Sequence, residues 1–80
     1  MKAKIFVTLK NGVLDPQGKA ISESLNSLGY KSVKDVRQGK FIEVELEEND
    51  KEKAKDQLEK MCKELLANTV IENYKFEIAA

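Results

Sequence analysis

Eighty residues allow one domain, residues 1–80, and folding such a chain alone buries only about 60–65% of its surface, roughly 13,000 Å² falling to about 4,900 Å². One cysteine (Cys62) and no histidine exclude an internal disulfide, Cys₂His₂-type zinc sites and any Ser-His-Asp or Cys-His nucleophile, which leaves an oligomer interface as the remaining reinforcement. Lysine plus arginine equals aspartate plus glutamate at 14 each, a zero balance that argues against nucleic acid or an anionic membrane as the main partner, and the apolar runs are too short for a membrane span or secretory signal, so a cytoplasmic location is expected.

Residues 1–9 alternate. Met1, Ala3, Ile5, Val7 and Leu9 share one face and Lys2, Lys4 and Thr8 the other, which predicts a strand with one buried face, interrupted on its polar side by Phe6. Asn11-Gly12 ends it. Asp15 is then an N-cap and Pro16 a first helical residue. Ile21, Leu25 and Leu28 form the apolar stripe of that helix, and Gly29 is placed to stop it. Gly18 in the first turn is unfavourable by about 1 kcal/mol against alanine. Either the turn frays there or another segment packs close to that backbone.

Residues 33–47 form a second extended region. The shared parity of Val36, Ile42, Val44 and Leu46 favours one long strand bent at Gly39, with a tight hairpin over residues 37–40 as the alternative. Asn49 or Asp50 caps a second helix running to about residue 66, with Glu52 able to complete a capping box with Asn49. Its stripe is Ala54, Leu58, Met61, Cys62 and Leu65, and Cys62 reads as an inert core thiol. Residues 70–78 close the chain as a strand with Val70, Tyr74, Phe76 and Ile78 on one face.

The order is β-α-β(β)-α-β. This predicts an α+β sandwich, a mainly antiparallel sheet with two helices on one face, close to a ferredoxin-like arrangement and oligomerising through the sheet. The sheet face turned away from the helices is expected to carry Phe6, Val33, Phe41 and Ile71, more apolar surface than water favours, and these four are candidates for an oligomer interface. A second group, Leu14, Asp15, Pro16, Gln17 and Gly18 together with Arg37, Gly39 and Lys40, has no core explanation and is a candidate partner contact.

Three segments carry a resemblance: residues 9–18, with the string GVLDPQG, through Ala20-Ile21 and Leu28-Gly29-Tyr30; residues 36–40, VRQGK; and Met61-Cys62 through Leu65-Leu66-Ala67-Asn68 to residues 70–74. Together they resemble the PurS family, the small subunit of phosphoribosylformylglycinamidine (FGAM) synthase, over essentially the whole chain. Thr69, where the family is expected to carry proline, and Ser24, where alanine is usual, depart from the pattern at structural positions. The resemblance implies a noncatalytic adaptor of purine biosynthesis, a dimer or tetramer that joins a glutaminase subunit to an ATP-dependent synthetase subunit and assists ammonia transfer. ATP, Mg²⁺ and glutamine are then used by the partners, and this chain holds no cofactor, metal or catalytic residue of its own.

Two other classes share the topology. The GxVQGVxFR loop of an acylphosphatase is missing. An RNA-binding or small-molecule-sensing module remains the alternative, with Phe6 and Phe41 as the stacking pair and the neutral charge against it.

Overall fold

Alternation along β1 (Lys2–Leu9) decides where the core lies: Ala3, Ile5 and Val7 are fully buried, and Lys2, Lys4 and Thr8 face out. The computed structural model describes residues 1–79. After β1 come α1 (Pro16–Ser27), β2 (Gly39–Glu45), α2 (Lys51–Met61), a π turn over Cys62–Leu66, and β3 (Glu72–Ala79). The sheet has three strands in the order β2-β1-β3, and β1 is antiparallel to both neighbours. Phe6 lies opposite Phe41 on one side and opposite Lys75 on the other.

This topology uses the two helices differently. β1 and β2 are antiparallel neighbours, so the residue leaving β1 and the residue entering β2 lie at the same end of the sheet, where Thr8 pairs with Gly39. The connection through α1 has no sheet to cross. β2 and β3 run parallel to each other with β1 between them, so the chain must travel back along the sheet to start β3, and α2 makes that return. Leu58 and Cys62 consequently pack on Ala3, Ile5 and Val7, with Ala67 in the same cluster, and Ala54, one turn earlier on α2, is fully buried as well. Full burial of Ile5 or Leu58 is worth about 1.5–3 kcal/mol each. The Tyr74 hydroxyl donates to Glu59 Oε2 at 2.7 Å, tying β3 to α2, and this bond with partial burial pushes the phenol pKa up to about 12.

The expected α+β class with an antiparallel sheet holds, and so do the helix starts. Asp15 and Asp50 are the N-caps. Glu48 Oε1 accepts from the amides of Asn49 and Asp50, so the amide of the cap residue is satisfied from two residues upstream rather than by Glu52 reaching back. α1 ends in a Schellman motif, with Gly29 N–H donating to the Asn26 carbonyl and Tyr30 N–H to the Leu25 carbonyl.

Two expectations are corrected. Residues 33–38 join neither a long bent strand nor a hairpin; β2 begins at Gly39. Their backbone is engaged elsewhere, against the foot of α1, as described below. The stripe of the second helix also changes phase. Ala67 N–H donates to the Cys62 carbonyl at 3.0 Å, an i→i−5 bond that widens the last turn. Leu65, expected in the core, is 83% exposed, and Leu66 takes its place against the sheet. Truncation distinguishes the two leucines: Leu66→Ala should cost about 1–3 kcal/mol in urea unfolding, whereas Leu65→Ala should stay within about 0.5 kcal/mol. Equal losses would mean an uninterrupted α-helix.

Candidate functional site

The sequence offers two short clusters separated by some twenty residues, and the fold brings them together at the end of the sheet from which α1 departs. Asp15 is the joint. Its carboxylate is buried and accepts from Gly18 N–H at 2.8 Å through Oδ1 and from Gln38 N–H at 2.7 Å through Oδ2. One side chain thus caps α1 and fastens the incoming β2 segment. Arg37 adds a second tie, its Nη2 donating to the carbonyls of Val13 at 2.9 Å and Lys10 at 3.2 Å. Gln38 Nε2 donates to Gln17 Oε1 at 2.8 Å across the same seam.

The glycines belong to this seam. A Cβ on Gly18 would collide with the Val36 carbonyl oxygen and the Asp15 carboxylate, so the first turn of α1 is not frayed but pressed against the 36–38 segment. A Cβ on Gly39 would meet the Val7 carbonyl oxygen and the Thr8 methyl group, where β2 approaches β1. Asp15, Gly18, Arg37 and Gly39 therefore do intramolecular work. Leu14, Pro16, Gln17 and Lys40 are the members of the group whose side chains lie open, Leu14 with 72% of its surface exposed. Lys40 Nζ lies 4.0 Å from Glu72 Oε2, and Glu72 Oε1 accepts from Asn68 N–H at 2.7 Å. Two open hollows flank the seam: one of about 540 Å³ bordered by Leu14, Lys19, Lys34 and Arg37, and one of about 430 Å³ bordered by Leu9, Pro16, Gln17 and Lys40.

The carboxyl of Asp15 is held below its ordinary value of 3.8, first by the Gln38 amide, then by the Gly18 amide, with Arg37 nearby adding to it and burial opposing. The thiol of Cys62 is pushed up by burial and by Glu59, away from the thiolate form that nucleophilic chemistry needs. Among the described residues, no group of three or more His, Cys, Asp or Glu side chains converges to hold a metal ion. What the corner offers is shape: an apolar knob, a helix start and a lysine on a rigidly tied base.

The open face of the sheet is the other candidate region. Phe6 and Phe41 pack with ring centroids 5.2 Å apart, and Lys75 Nζ sits 5.4 Å from the Phe6 centroid. Ile71 lies in the turn before β3, joined to the rim of this sheet by the Lys10 N–H bond to its carbonyl. Val33 is corrected: it sits in the loop after α1, its carbonyl accepting from Asn26 Nδ2 at 3.3 Å, and it is no part of the sheet. Sequence reasoning missed Gln38 and Lys75. The alternation around Phe76 puts Lys75 on the open face, but only the register places it opposite Phe6. No local pattern marks Gln38.

A depressed carboxyl stabilises the fold above its unfolded value and loses that contribution as pH falls through the folded one. Asp15→Asn should therefore lower the urea midpoint at pH 7, and the gap from the unaltered protein should close below about pH 4. A gap that persists unchanged to pH 2 would show that the charge of Asp15 is not what ties the seam. Gly18→Ala should cost about 1–3 kcal/mol through the same contact, with no such pH dependence.

Comparison with known proteins adds what geometry cannot. The PurS family model, described as phosphoribosylformylglycinamidine (FGAM) synthase, matches residues 2–80. The PurS subunit of that synthase from Synechocystis is 56% identical over 77 residues, covering 96% of this chain and 77% of that protein. Its counterpart from Bacillus subtilis is 50% identical over 78 residues, covering 96% and 90%. Among solved structures, B. subtilis PurS superposes with a TM-score of 0.88 at 46% identity, covering 99% of this chain and 98% of that one. A chain in the PurLQS structure from Thermotoga maritima gives 0.86 at 39% identity, covering 95% and 93%. No helix among the described residues is long and apolar enough to cross a membrane. A whole-length family match and half-identical relatives leave one reading of these residues: the chain belongs to the PurS family of FGAM synthase subunits.

Proposed function

We propose that the protein is the noncatalytic adaptor of an FGAM synthase complex in the cytoplasm. It joins the glutaminase subunit to the ATP-dependent synthetase subunit and assists passage of ammonia between them, so that formylglycinamide ribonucleotide becomes the amidine. ATP, Mg²⁺ and glutamine are handled by the partners. The observation that carries this reading is the tied corner, where Leu14, Pro16, Gln17 and Lys40 stand open on a base held by Asp15 and Arg37. The chemistry is consistent with it: releasing ammonia from glutamine calls for an activated thiolate, and the thiol of this chain is fully buried and shifted toward its protonated form. The related T. maritima structure is of a PurLQS assembly. The adaptor is a homo-oligomer, dimer or tetramer, with Phe6, Phe41 and the rim residue Ile71 among its covered surfaces.

Side-by-side assay of the assembled complex with glutamine and with free ammonia tests the reading. Leu14→Asp combined with Lys40→Ala should leave folding and self-association unchanged and lower glutamine-dependent synthesis about tenfold or more, as expected for the loss of ~1.4 kcal/mol of docking energy. Ammonia-dependent synthesis should change little, because free ammonia bypasses delivery. Equal losses with both nitrogen sources would refute a delivery role. Cys62→Ala should retain glutamine-dependent activity, with a stability cost of about 1 kcal/mol for the methyl-sized void; complete inactivation of a folded Cys62→Ala complex would sink the noncatalytic assignment.

A further inference from the structure

The segment between α2 and β3 holds apolar side chains in water on a backbone that is fixed. Leu65 is 83% exposed and Val70 80%, and both lie outside the core cluster. A loose loop would explain that exposure, but residues 67–72 are stapled throughout. Ala67 N–H closes the π turn on the Cys62 carbonyl. Asn68 Oδ1 accepts from Val70 N–H at 3.1 Å, and the Asn68 carbonyl accepts from Ile71 N–H at 3.1 Å and Glu72 N–H at 2.7 Å. Glu72 Oε1 accepts from Asn68 N–H at 2.7 Å, and Lys10 N–H donates to the Ile71 carbonyl at 2.8 Å. An uninterrupted α-helix would turn Leu65 to the face of Leu58 and Cys62. The π turn seats Leu66 against the sheet instead and presents Leu65 to solvent. Aliphatic groups held out by a rigid frame have the form of a contact surface.

This segment adjoins the tied corner. Leu9 pairs with Glu72 in the sheet. The Glu72 side chain is only 14% exposed, with Oε1 on the Asn68 amide and Oε2 4.0 Å from Lys40 Nζ. With Pro16, Gln17 and Lys40 it borders the hollow of about 430 Å³. One carboxylate therefore joins the corner on one side to the turn on the other. Val70 is two residues from Glu72, so their Cα atoms lie within about 7 Å. A standard interface covers about 800 Å² of each partner, far wider than that gap.

We propose that residues 65–71 extend the corner into one docking surface, on which the glutaminase subunit covers Val70 and Leu65 with an apolar recess and meets Lys40 with a carboxylate. Lys40 suits that exchange. It is exposed, and its ion pair with Glu72 is long, so a partner carboxylate can take it up while the Asn68 amide keeps its hold on Glu72. The glutaminase is the occupant because the corner is proposed to serve ammonia delivery, and the synthetase must stay competent with free ammonia when that surface is lost. This inference rests on the docking role proposed above and adds its extent and the chemistry of the partner's face.

Titrating the glutaminase into the other subunits, with glutamine-dependent synthesis as the readout, tests it. Val70→Asp should raise the glutaminase concentration needed for half-maximal rate about tenfold or more, and Leu65→Asp should act in the same direction. The ratio of glutamine-dependent to ammonia-dependent synthesis should fall, while the sedimentation coefficient and urea midpoint of the isolated variants stay unchanged. An unchanged half-maximal concentration, where Leu14→Asp with Lys40→Ala raises it, would overturn the extension and leave the corner standing. No response to either set of variants would overturn both. Equal losses with both nitrogen sources would assign the segment to the synthetase, and a smaller oligomer would assign it to a second copy; either result overturns the proposal. If the aspartate variants fail to fold, a benzophenone carried on Val70→Cys in a Cys62→Ala chain decides. Crosslinking to the glutaminase is expected, and crosslinks only to the synthetase or to another copy would overturn it.

Discussion

Antiparallel pairing of β1 with β2 is the constraint from which the shape of this protein follows. Strands paired that way are entered and left at the same end, so the segment carrying α1 is free to stand away from the sheet, whereas the segment carrying α2 has to recross it. The core is accordingly one helix deep and one sheet wide. Several of its central side chains are small: Ala3, Ala54, Cys62 and Ala67 occupy positions where leucine would bury more. A core of that kind contributes little beyond the entropy it must offset, and a chain of this length has no disulfide to help. Thin internal stability and generous outer surface are two consequences of one topology.

What keeps the free segment from wandering is polar rather than apolar. Asp15 receives amides from both sides of the seam, Arg37 reaches back to two carbonyls, and Gly18 lets the strands of chain touch without a side chain between them. Hydrogen bonds suit this task because they are directional. Apolar packing tolerates sliding, whereas a carboxylate with two short amide bonds fixes an angle. The GVLDPQG string and the VRQGK string, the most recognisable parts of the sequence, are in large measure the two halves of this joint. Their recognisability therefore says first that α1 must leave the sheet in one direction. The open side chains mounted on the joint, Leu14, Gln17 and Lys40, inherit that fixed placement.

The features legible in the sequence were the local ones. A strand with a period of two, a carboxylate before proline, and a glycine after the last turn each declare themselves within a few residues, and β1, the cap at Asp15 and the stop at Gly29 stand where those signals put them. The failures were non-local. Val36 has the parity of the β2 residues on the core side of the sheet, but parity cannot tell whether a strand partner is present, and the backbone at 36–38 is already committed to the foot of α1. Leu65 has the right helical phase until one i→i−5 bond rotates the last turn, and that bond leaves no trace in apolar periodicity. Val33 failed for the first of these reasons. For the candidate site, the two clusters were each visible as residues without a core role, but their meeting depends on a register that only the folded sheet supplies.

The distribution of charge bears on the same surfaces. The positive charges of the open face, Lys2 and Lys4 on β1 and Lys75 on β3, are matched by Glu43, Glu45 and Glu77 on the two outer strands, so the face is balanced within itself around the Phe6–Phe41 pair. A balanced face neither steers an anion nor repels a copy of itself, and the zero net charge extends that neutrality to the whole molecule. Three surfaces remain distinct: the tied corner, the open sheet face and the stripe of α1. They are carried by different elements of a body 49 Å long and 14 Å thin. An elongated, neutral chain with separate contact surfaces can touch several proteins without their competing for one patch, which a rounder fold of eighty residues has too little surface to do. The same feature that leaves the protomer thinly stabilised, a helix kept off its own sheet, is thus what gives so small a chain enough independent surface to serve an assembly.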